Sequence, residues 1–382
     1  MFQALFNSLS GLFSFSRSLN TVSNNVSNMN TPGFRGSDSF FSNIEGGHGA
    51  RIAGEDMRTQ AGDIRQSANA TDVAVDGSGY FILRDASGDL HYTRAGQFRF
   101  NEDGVLVDSV NSYEVMAMDD SGNLTTIDMD DHRTIPAAAT TQVRITGNIA
   151  PASTTTNINT VTVFDAAGAT RVLAVKFTNN TSTTPGSFLV SITDSTGAVV
   201  GKGEVRFRSD GTPMAGYSSM NVVLQGEQSV RFDFGTPTAL NGMTSLTGTT
   251  TSLSAKVDDG HGVLAVTDAS FDEKGILQLA YSQTEKRSGA QLALAIFPNE
   301  SALKLEGGRL ISGATVAERE VGRPGEGRFG RISGQSLEMS NVDLTREFAD
   351  MIIIQRGYQA SSRVMTVSNE MIEQLYNSTR GG

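Results

Sequence analysis

The chain has 382 residues, no cysteine and a net charge of −11. This length suffices for two to four domains of roughly 100 to 200 residues each. The acidic balance argues against nucleic-acid or anionic-membrane binding, which needs a cationic surface. Without cysteine there is no disulfide framework or thiolate chemistry. Glycine is abundant, with 41 residues against 8 prolines, which predicts many tight turns and favours β structure.

No segment has the length and hydropathy of a membrane span. The longest apolar run covers 292–297, whereas a spanning helix needs about 18 residues. An ordinary secretory signal is not expected either, because the first basic residue is Arg17 and polar residues interrupt the apolar stretch before it. If the chain leaves the cell, it uses another route.

The N-terminal stretch has the apolar spacing of a helix. Its stripe recurs mostly at steps of three, four or seven, at Leu5, Leu9, Leu12, Leu19, Val22 and Val26. This spacing predicts a helix from Phe2 to about Asn28, about 40 Å long. We expect it to end before Pro32 and Gly33, because proline forces the preceding residue out of the α region and glycine permits a turn.

The C-terminal stretch repeats the pattern. Its stripe is Leu344, Phe348, Met351, Tyr358, Met365 and Ile372. It predicts a helix from about Val342 to Asn377, about 54 Å long. Ser340 and Asp343 have the spacing of a capping box at its start. A helix of this length is typical of a coiled coil.

Polar residues interrupt both stripes, at Ser16, Ser23, Gln355, Ser362 and Asn369. Such positions lower the stability of a helix pair, so the two helices would need neighbours from the same chain or from other copies. Ordinary core helices packed on a β domain are the alternative. The narrow stripes at the two chain ends favour packing between molecules.

The region between the helices consists of short apolar runs separated by turn residues, which is typical of β structure. An aspartate followed three residues later by glycine is typical of type I turns, and turns of this kind are predicted at Asp85/Gly88, Asp119/Gly122, Asp165/Gly168, Asp194/Gly197 and Asp272/Gly275. A meander is predicted over 80–83, 90–93, 98–100 and 105–107.

Composition also suggests a domain division. Residues 1–30 and 342–382 would form a helical assembly domain, and 31–70 with 322–341 an extended connector. Residues 71–142 and 262–321 would form an inner β domain, and 143–261 an outer β domain inserted into it. Two Thr- and Ser-rich stretches, about 140–160 and 236–254, are predicted crossings between the domains. The predicted fold class is therefore mixed and mainly β, with a coiled-coil-like domain built from the two ends.

No motif indicates catalysis, and we predict no catalytic, cofactor or metal site. The four histidines are dispersed, and the acidic run at 128–132 lacks the glycine of a calcium loop. The glycines at 77 and 79 precede a strand pattern rather than a helix, which argues against dinucleotide binding. Carboxylates from distant strands could still meet, so a β-rich enzyme or secreted binding protein stays an alternative.

The two ends resemble the rod and hook axial proteins of the bacterial flagellum. The N-terminal motif is a helix carrying Asn24 and Asn25, followed by Asn-Thr-Pro-Gly-Phe and a basic residue at 30–35. The C-terminal motif is Ser-Asn-Val-Asp at 340–343, Glu-Phe at 347–348 and Gln-Arg-Gly-Tyr-Gln-Ala at 355–360. The segments 73–83 and 92–108 are similar to the first β domain of this family. Gly357 departs from the alanine expected there, which would cost the helix about 1 kcal/mol.

The resemblance implies a structural subunit that assembles into a helical homopolymer. Hook members carry an outer β domain that rod members lack, and the insertion at about 141–260 makes the hook members the closer match; a distal rod protein is the alternative. The implied location is extracellular, in the flagellar hook. The implied partners are further copies, the distal rod, the hook cap, the hook–filament junction protein and the flagellar type III export apparatus. The implied assembly interface comprises the apolar stripes together with Asn24, Asn25 and Gln355.

Overall fold

The computed structural model describes residues 2–44, 49–226, 228–248, 250–298, 300, 303–306, 309–312 and 319–380. Within them the chain is mainly β, with one long helix near each end, which confirms that part of the predicted fold class. The chain divides into two compact units. Unit 1 combines Met1–Asp131 with Val266–Gly382, and unit 2 is His132–Ala265.

The two long helices are α1, Phe2–Ser27, and α2, Leu344–Arg380. After α1 the chain turns where the sequence predicts. Gly33 adopts a φ of 72°, and its amide donates to the carbonyl of Glu338 at 2.8 Å. The predicted capping box is wrong. The Asp343 carboxylate accepts a hydrogen bond from the amide of Thr345 at 2.8 Å, so Asp343 is the cap and α2 begins directly after it.

Unit 1 contains nineteen strands among the described residues. They are β1 (Ser37–Asn43), β2 (Ala50–Met57), β3 (Ile64–Gln66), β4 (Val73–Asp76), β5 (Tyr80–Arg84), β6 (Leu90–Thr93), β7 (Phe98–Phe100), β8 (Leu106–Asp108), β9 (Glu114–Met118), β10 (Leu124–Thr126), β22 (Asp268–Phe271), β23 (Ile276–Ala280), β24 (Lys286–Leu292), β25 (Leu294–Ile296), β26 (Lys304–Glu306), β27 (Leu310–Ser312), β28 (Glu320–Gly322), β29 (Arg331–Gly334) and β30 (Ser336–Glu338).

The main sheet of unit 1 has thirteen of these strands, with the central order β22-β23-β24-β9-β5-β6-β27-β26. Its strands come from both sides of unit 2 in the sequence. Three two-stranded pairs, β1–β2, β4–β29 and β3–β30, connect this body to the helices. The side chains of Phe81, Ile82 and Leu83 on β5 are fully buried, as expected for a short continuous apolar run at the centre of a sheet.

Unit 2 contains the strands β11 (Thr134–Ile135), β12 (Gln142–Asn148), β13 (Thr155–Phe164), β14 (Thr170–Asn179), β15 (Ser187–Asp194), β16 (Val199–Arg206), β17 (Ser219–Val223), β18 (Ser229–Asp233), β19 (Met243–Thr244), β20 (Ser252–Val257) and β21 (Leu264–Ala265). Strands β13 to β16 form one antiparallel sheet in sequence order. Strands β17, β18, β12 and β19 form a second sheet, with β20 also paired to β12. Both sheets contribute to one core, to which Val175, Phe177 and Phe232 belong.

The turn prediction is confirmed at all five sites. In each, the glycine amide donates to the aspartate carbonyl at 2.9–3.1 Å, and the glycine has a positive φ of 70–92°. The four strands of the predicted meander form as β5 to β8, with the last strand one residue later than predicted, but the meander itself is wrong. Strand β5 pairs with β6 and β7 pairs with β8, whereas β6 pairs with β27 instead of β7. The turns and these two hairpins depend on a few neighbouring residues, and short-range patterns therefore suffice to predict them.

The Thr-rich stretches are not crossings. The stretch 140–160 contains β12 and the first half of β13, and 236–254 contains β19 and the start of β20, all inside unit 2. Threonine is β-branched and fits a pleated, half-exposed surface, so the same composition suits a strand. The segments predicted as an extended connector contain the β1–β2 hairpin, β3, β29 and β30. The four-part domain division itself stays a prediction.

Candidate assembly surface of the terminal helices

Helices α1 and α2 lie against each other in antiparallel orientation. A Cβ atom added to Gly11 would lie 2.8 Å from Ser361 Oγ, and one added to Gly357 would lie 2.5 Å from Cζ of Phe15. Further along α1, Asn25 Nδ2 donates to Glu347 Oε2 at 3.1 Å. Residue numbers rise along α1 while those of its contacts fall along α2, so the two chain ends form a helix pair.

The buried side of α1 is mostly small and polar. Its buried residues are Ser8, Ser14, Ser18, Thr21, Val22 and Asn25. Several of them hydrogen bond to nearby backbone or to the hairpin: Ser14 Oγ donates to the carbonyl of Ala50 at 2.9 Å, and Ser39 Oγ donates to Thr21 Oγ1 at 3.0 Å. Most of the predicted apolar stripe therefore lies off the most buried face of the helix.

The predicted interface residues fall into three groups. Val22 and Asn25 are buried in the chain itself. Leu9, Asn24, Phe348, Gln355 and Tyr358 are exposed. The remainder are half-buried: Leu5, Leu12, Leu19, Val26, Leu344, Met351, Met365 and Ile372. The structure thus joins the two stripes only in part and leaves much of their apolar surface accessible.

Two apolar stripes face solvent, and Leu9 is the one member of either stripe that was predicted from the sequence. On α1, the outer stripe consists of Phe2, Phe6, Leu9 and Phe13, which are 39–69% exposed. On α2, the second stripe consists of Ile353, Val364, Val367, Met371 and Leu375, which are 48–65% exposed. Large contiguous apolar surface of this kind marks an interaction site in soluble proteins.

Asn25 joins three elements. Its side chain accepts from the amide of Ser37 at 3.0 Å and donates to the carbonyl of Ser37 at 2.9 Å, which ties α1 to the start of β1. The same amide nitrogen donates to Glu347 on α2. Asn25 is 1% exposed, so it stabilises the fold of one subunit from within rather than offering a surface to another. Asn24 instead contacts its own helix, accepting from Asn28 Nδ2 at 3.0 Å.

Glu347 is the buried anion at the base of α2. Arg58 Nη1 lies 2.7 Å from its Oε1 atom, an approach without hydrogen-bond geometry that acts as an ion pair. Arg58 also donates to Asp38, which Arg346 approaches to 3.1 Å. Burial alone would raise the pKa of Asp38, but the hydrogen bonds and charges of Arg58 and Arg346 outweigh it, and the pKa lies below its usual value. For Arg58, burial opposes the charged form, yet its two carboxylate partners raise the pKa.

A second buried ion cluster ties the two chain ends to the main β body. Glu338 on β30 accepts from Arg35 Nη2 and from Arg94 Nε, both at 2.8 Å, and all three side chains are at most 3% exposed. Arg35 is the basic residue of the N-terminal motif. Burial lowers the pKa of Arg94, against the opposing charge of Glu338. The motif residue therefore works inside the subunit.

The small-residue side of the helix pair has a sequence signal. On α1 it follows heptad spacing through Ala4, Ser8, Gly11, Phe15, Ser18, Val22 and Asn25. This row lies one residue away from the row that contains Leu5, Leu12, Leu19 and Val26. A search for apolar residues alone misses it, because serine and glycine allow close helix approach without large side chains.

The described residues offer little for chemistry. No three residues of the types that ligate metals come together within the part of the chain that the structure describes. Over the same residues, neither helix combines the length and the hydropathy that crossing a lipid bilayer requires. The features that stand out are the exposed apolar stripes.

Three family models match the chain, and they cover both ends and the adjoining β domain. Residues 5–35 match the model described as flagella basal body rod protein. Residues 74–150 match the flagellar hook protein FlgE/F/G D1 domain, and residues 333–378 match the C-terminal model of flagellar basal body rod FlgEFG proteins. These are the segments in which the sequence motifs lie.

Full-length relatives have the same character. The flagellar hook protein FlgE of Escherichia coli (strain K12) is 26% identical over 97% of this chain and 98% of its own length. The FlgE proteins of Borreliella burgdorferi and Rhizobium meliloti are 26% and 28% identical over 98% and 97% of this chain, and over 99% and 98% of their own lengths. A crystal structure of Helicobacter pylori FlgE2 matches 72% of this chain and 100% of that one, at 14% identity with a TM-score of 0.49.

The described structure is a pair of terminal helices with exposed apolar stripes, attached to a β-rich body. The matched models describe flagellar rod and hook axial proteins, and the full-length relatives are flagellar hook proteins. The chain is therefore similar to rod and hook axial proteins at both ends and in the adjoining β domain, and to hook proteins over nearly its whole length.

Proposed function

We propose that the chain is the subunit of a bacterial flagellar hook, and that its copies assemble into a curved, hollow tube that transmits torque from rod to filament as a universal joint. The observation that carries this proposal is the similarity to hook proteins over 97% of the chain, unit 2 included. No catalytic role is part of it.

The terminal helices supply the surface for self-association. The outer stripe on α1 and the second stripe on α2 expose nine large apolar residues in a single subunit. Burial of apolar area contributes about 25 cal/mol per Å², so contact with neighbouring copies stabilises an assembly that shelters these residues. The half-buried members of the predicted interface, such as Leu5 and Met365, lie on the same helices and would complete the contact.

Unit 2 supplies a contrasting surface. Along β14, Val175 and Phe177 point into the core, whereas Lys176 and Thr178 are exposed. Polar, hydrated contacts between copies can shift in ways that interlocked apolar contacts cannot. A joint that bends while it rotates needs such sliding contacts, because each subunit meets stretched and compressed neighbours once per turn.

The proposed location is extracellular, in the flagellar hook, with delivery by the flagellar type III export apparatus. The proposed neighbours are further copies of the chain, the distal rod, the hook cap and the hook–filament junction protein. A distal rod protein is the second candidate, because two of the three matched models describe basal body rod proteins.

Microscopy of the purified chain tests the proposal. At high protein concentration we expect negative-stain images of hollow, curved tubes, and straight, stiff polymers would instead favour the rod candidate. Phe13→Asp places a charge on the outer stripe and should prevent polymerisation while leaving the β units folded; Gln3→Asp, an exposed position about a quarter turn around α1 from that stripe, is the matched control. Absence of any polymer at any concentration would overturn the proposal.

A further inference from the structure

Each terminal helix contains one glycine, and both glycines lie where the helices meet. In the interior of a helix, glycine costs about 1 kcal/mol relative to alanine, so its placement at a contact needs a reason. At Gly357, an added Cβ would lie 2.5, 2.6 and 2.9 Å from Cζ, Cε1 and Cε2 of Phe15. At Gly11 it would lie 2.8 Å from Ser361 Oγ. The close approach of α1 and α2 thus requires the absence of these side-chain atoms.

Phe15 is set apart from the other aromatic residues of α1. Phe2, Phe6 and Phe13 are 60–69% exposed, whereas Phe15 is half-buried. Its ring packs on Gly357 and lies 5.8 Å, centroid to centroid, from the ring of Phe41 on β1. One side chain therefore contacts the hairpin and the opposite helix together.

The contacts along the pair share one register. From Gly11 to Phe15 is a step of four residues, and from Ser361 to Gly357 is a step of four back. From Phe15 to Asn25 is a step of ten, and from Gly357 to Glu347 is again ten. The same register therefore holds from the contact of Gly11 with Ser361 to the buried contact of Asn25 with Glu347.

We propose that Phe15 and Gly357 form a size-complementary pair that fixes the register of α1 on α2. The pair positions the assembly surface, because the register sets which part of the outer stripe lies level with Val364 and Val367. A slip of one heptad, about 10 Å along the axis, would place Phe15 opposite Asp350 or Val364, each of which has a Cβ. This inference rests on the proposed function only for its consequence in assembly.

The substitution Gly357→Ala distinguishes a glycine that fixes the register of α1 on α2 from one that only makes α2 flexible. Alanine raises helix propensity, so a glycine present only for flexibility would give equal or better polymerisation after substitution. A register role gives the opposite result, because the new Cβ meets the Phe15 ring. We expect the critical concentration for polymerisation to rise about tenfold. The control is Asn369→Ala, an exposed position on α2, which should shift it by less than about twofold.

Phe15→Leu provides the rescue. Leucine lacks Cε1, Cε2 and Cζ, the atoms that the new Cβ would meet. We expect Phe15→Leu/Gly357→Ala to polymerise within about twofold of Phe15→Leu alone, since the alanine occupies the space that the shorter side chain leaves. A double variant as impaired as Gly357→Ala, or an unimpaired Gly357→Ala, overturns the pairing.

Because the chain has no cysteine, introduced cysteine pairs can measure the register of α1 on α2 directly. Three residues beyond Phe15 lies Ser18, and the equal step back from Gly357 reaches Ile354; both are buried. Under mild oxidation, Ser18→Cys/Ile354→Cys should form a disulfide within one subunit, seen as a faster monomer band on denaturing gels. Ser18→Cys/Ser361→Cys, offset by one heptad, should not.

Equal cross-linking of the two cysteine pairs overturns the register assignment. The proposed function and the register assignment can be refuted independently. A wild-type chain that never polymerises refutes the proposed function, whereas the band pattern still decides the register.

Discussion

Glu347 has no solvent exposure and depends on two side chains from distant parts of the sequence, Arg58 and Asn25. Its burial removes water that would otherwise solvate the carboxylate, so the ion pair with Arg58 has to replace that solvation. Such residues stabilise a single arrangement of α1, α2 and the β1–β2 hairpin.

Glu347→Gln tests this dependence. Glutamine keeps the shape and can still accept from Asn25, but it leaves Arg58 with less opposing charge in a buried site. We expect the free energy of unfolding of unit 1 to fall by about 2–4 kcal/mol, measured by denaturant titration. Arg346→Gln, at an exposed partner of Asp38, should cost less than about 1 kcal/mol. Equal effects of the two substitutions would show that burial of the carboxylate is unimportant.

Asp38 makes the stability of the folded chain depend on pH, and the direction of its pKa shift gives the sign of that dependence. Its pKa lies below the ordinary value of 3.8 in the folded chain. A carboxyl with a lowered folded pKa contributes stability that is complete above its unfolded pKa and is lost as pH falls through the folded pKa. We expect unfolding titrations of Asp38→Asn to show a smaller loss of stability below about pH 4 than those of the wild type. Asp350→Asn, on the other side of Arg346, serves as the control; identical pH slopes for wild type and Asp38→Asn would contradict the assignment.

At the scale of elements, α1 and α2 pack through a face of small residues and leave larger ones outside. The 26 residues of α1 bury one apolar side chain fully, Val22, and the 37 residues of α2 bury Ile354. Long helices of this kind obtain most of their stability from burial of an apolar face. The pair therefore gains much from neighbouring copies and little alone.

This predicts a concentration-dependent helix content. In dilute monomer, we expect helical signal mainly from the segments held by the buried contacts of Asn25 and Glu347, so the far-ultraviolet circular dichroism should fall well short of that of two complete helices of 26 and 37 residues. On polymerisation, the signal at 222 nm should grow as the helices form. Full helicity in dilute monomer would contradict this account, because the helices would then need no neighbours.

At the scale of the whole molecule, unit 2 begins and ends on paired strands. Ala138 and His261 form a bridge between the two chain segments, and the amide of Thr141 donates to the carboxylate of Asp259 at 2.9 Å. The two segments therefore lie side by side, so most of unit 2 can be removed and Thr140 joined to His261 without a long linker.

Deletion of residues 141–260 tests whether the terminal helices are responsible for assembly and unit 2 for the curvature of the polymer. The terminal helices and their apolar stripes remain, so we expect polymers to form. The polar surfaces of unit 2 are gone, so the polymers should lose the curvature or flexibility of the wild type in electron micrographs. Unchanged curvature would assign it to unit 1.

Local sequence patterns were sufficient for the elements that depend on near neighbours. The two helices, the chain reversal at Gly33, the five aspartate–glycine turns and the β5–β6 and β7–β8 hairpins all follow from residues within a few positions of each other. The motifs at the two ends likewise lie in segments that match models of flagellar rod and hook proteins. A short segment of this kind adopts the same local conformation in many different folds, so its own sequence suffices to predict it.

Tertiary structure alone decided which side of each helix meets the other. Apolar periodicity favoured the row with Leu5 and Leu12, whereas α1 packs through Ser8, Gly11 and Phe15. Asn25, predicted at a surface between copies, proved to be an internal link between α1, β1 and α2. Burial depends on the shape and charge of a partner that lies hundreds of residues away, and no local pattern contains that information.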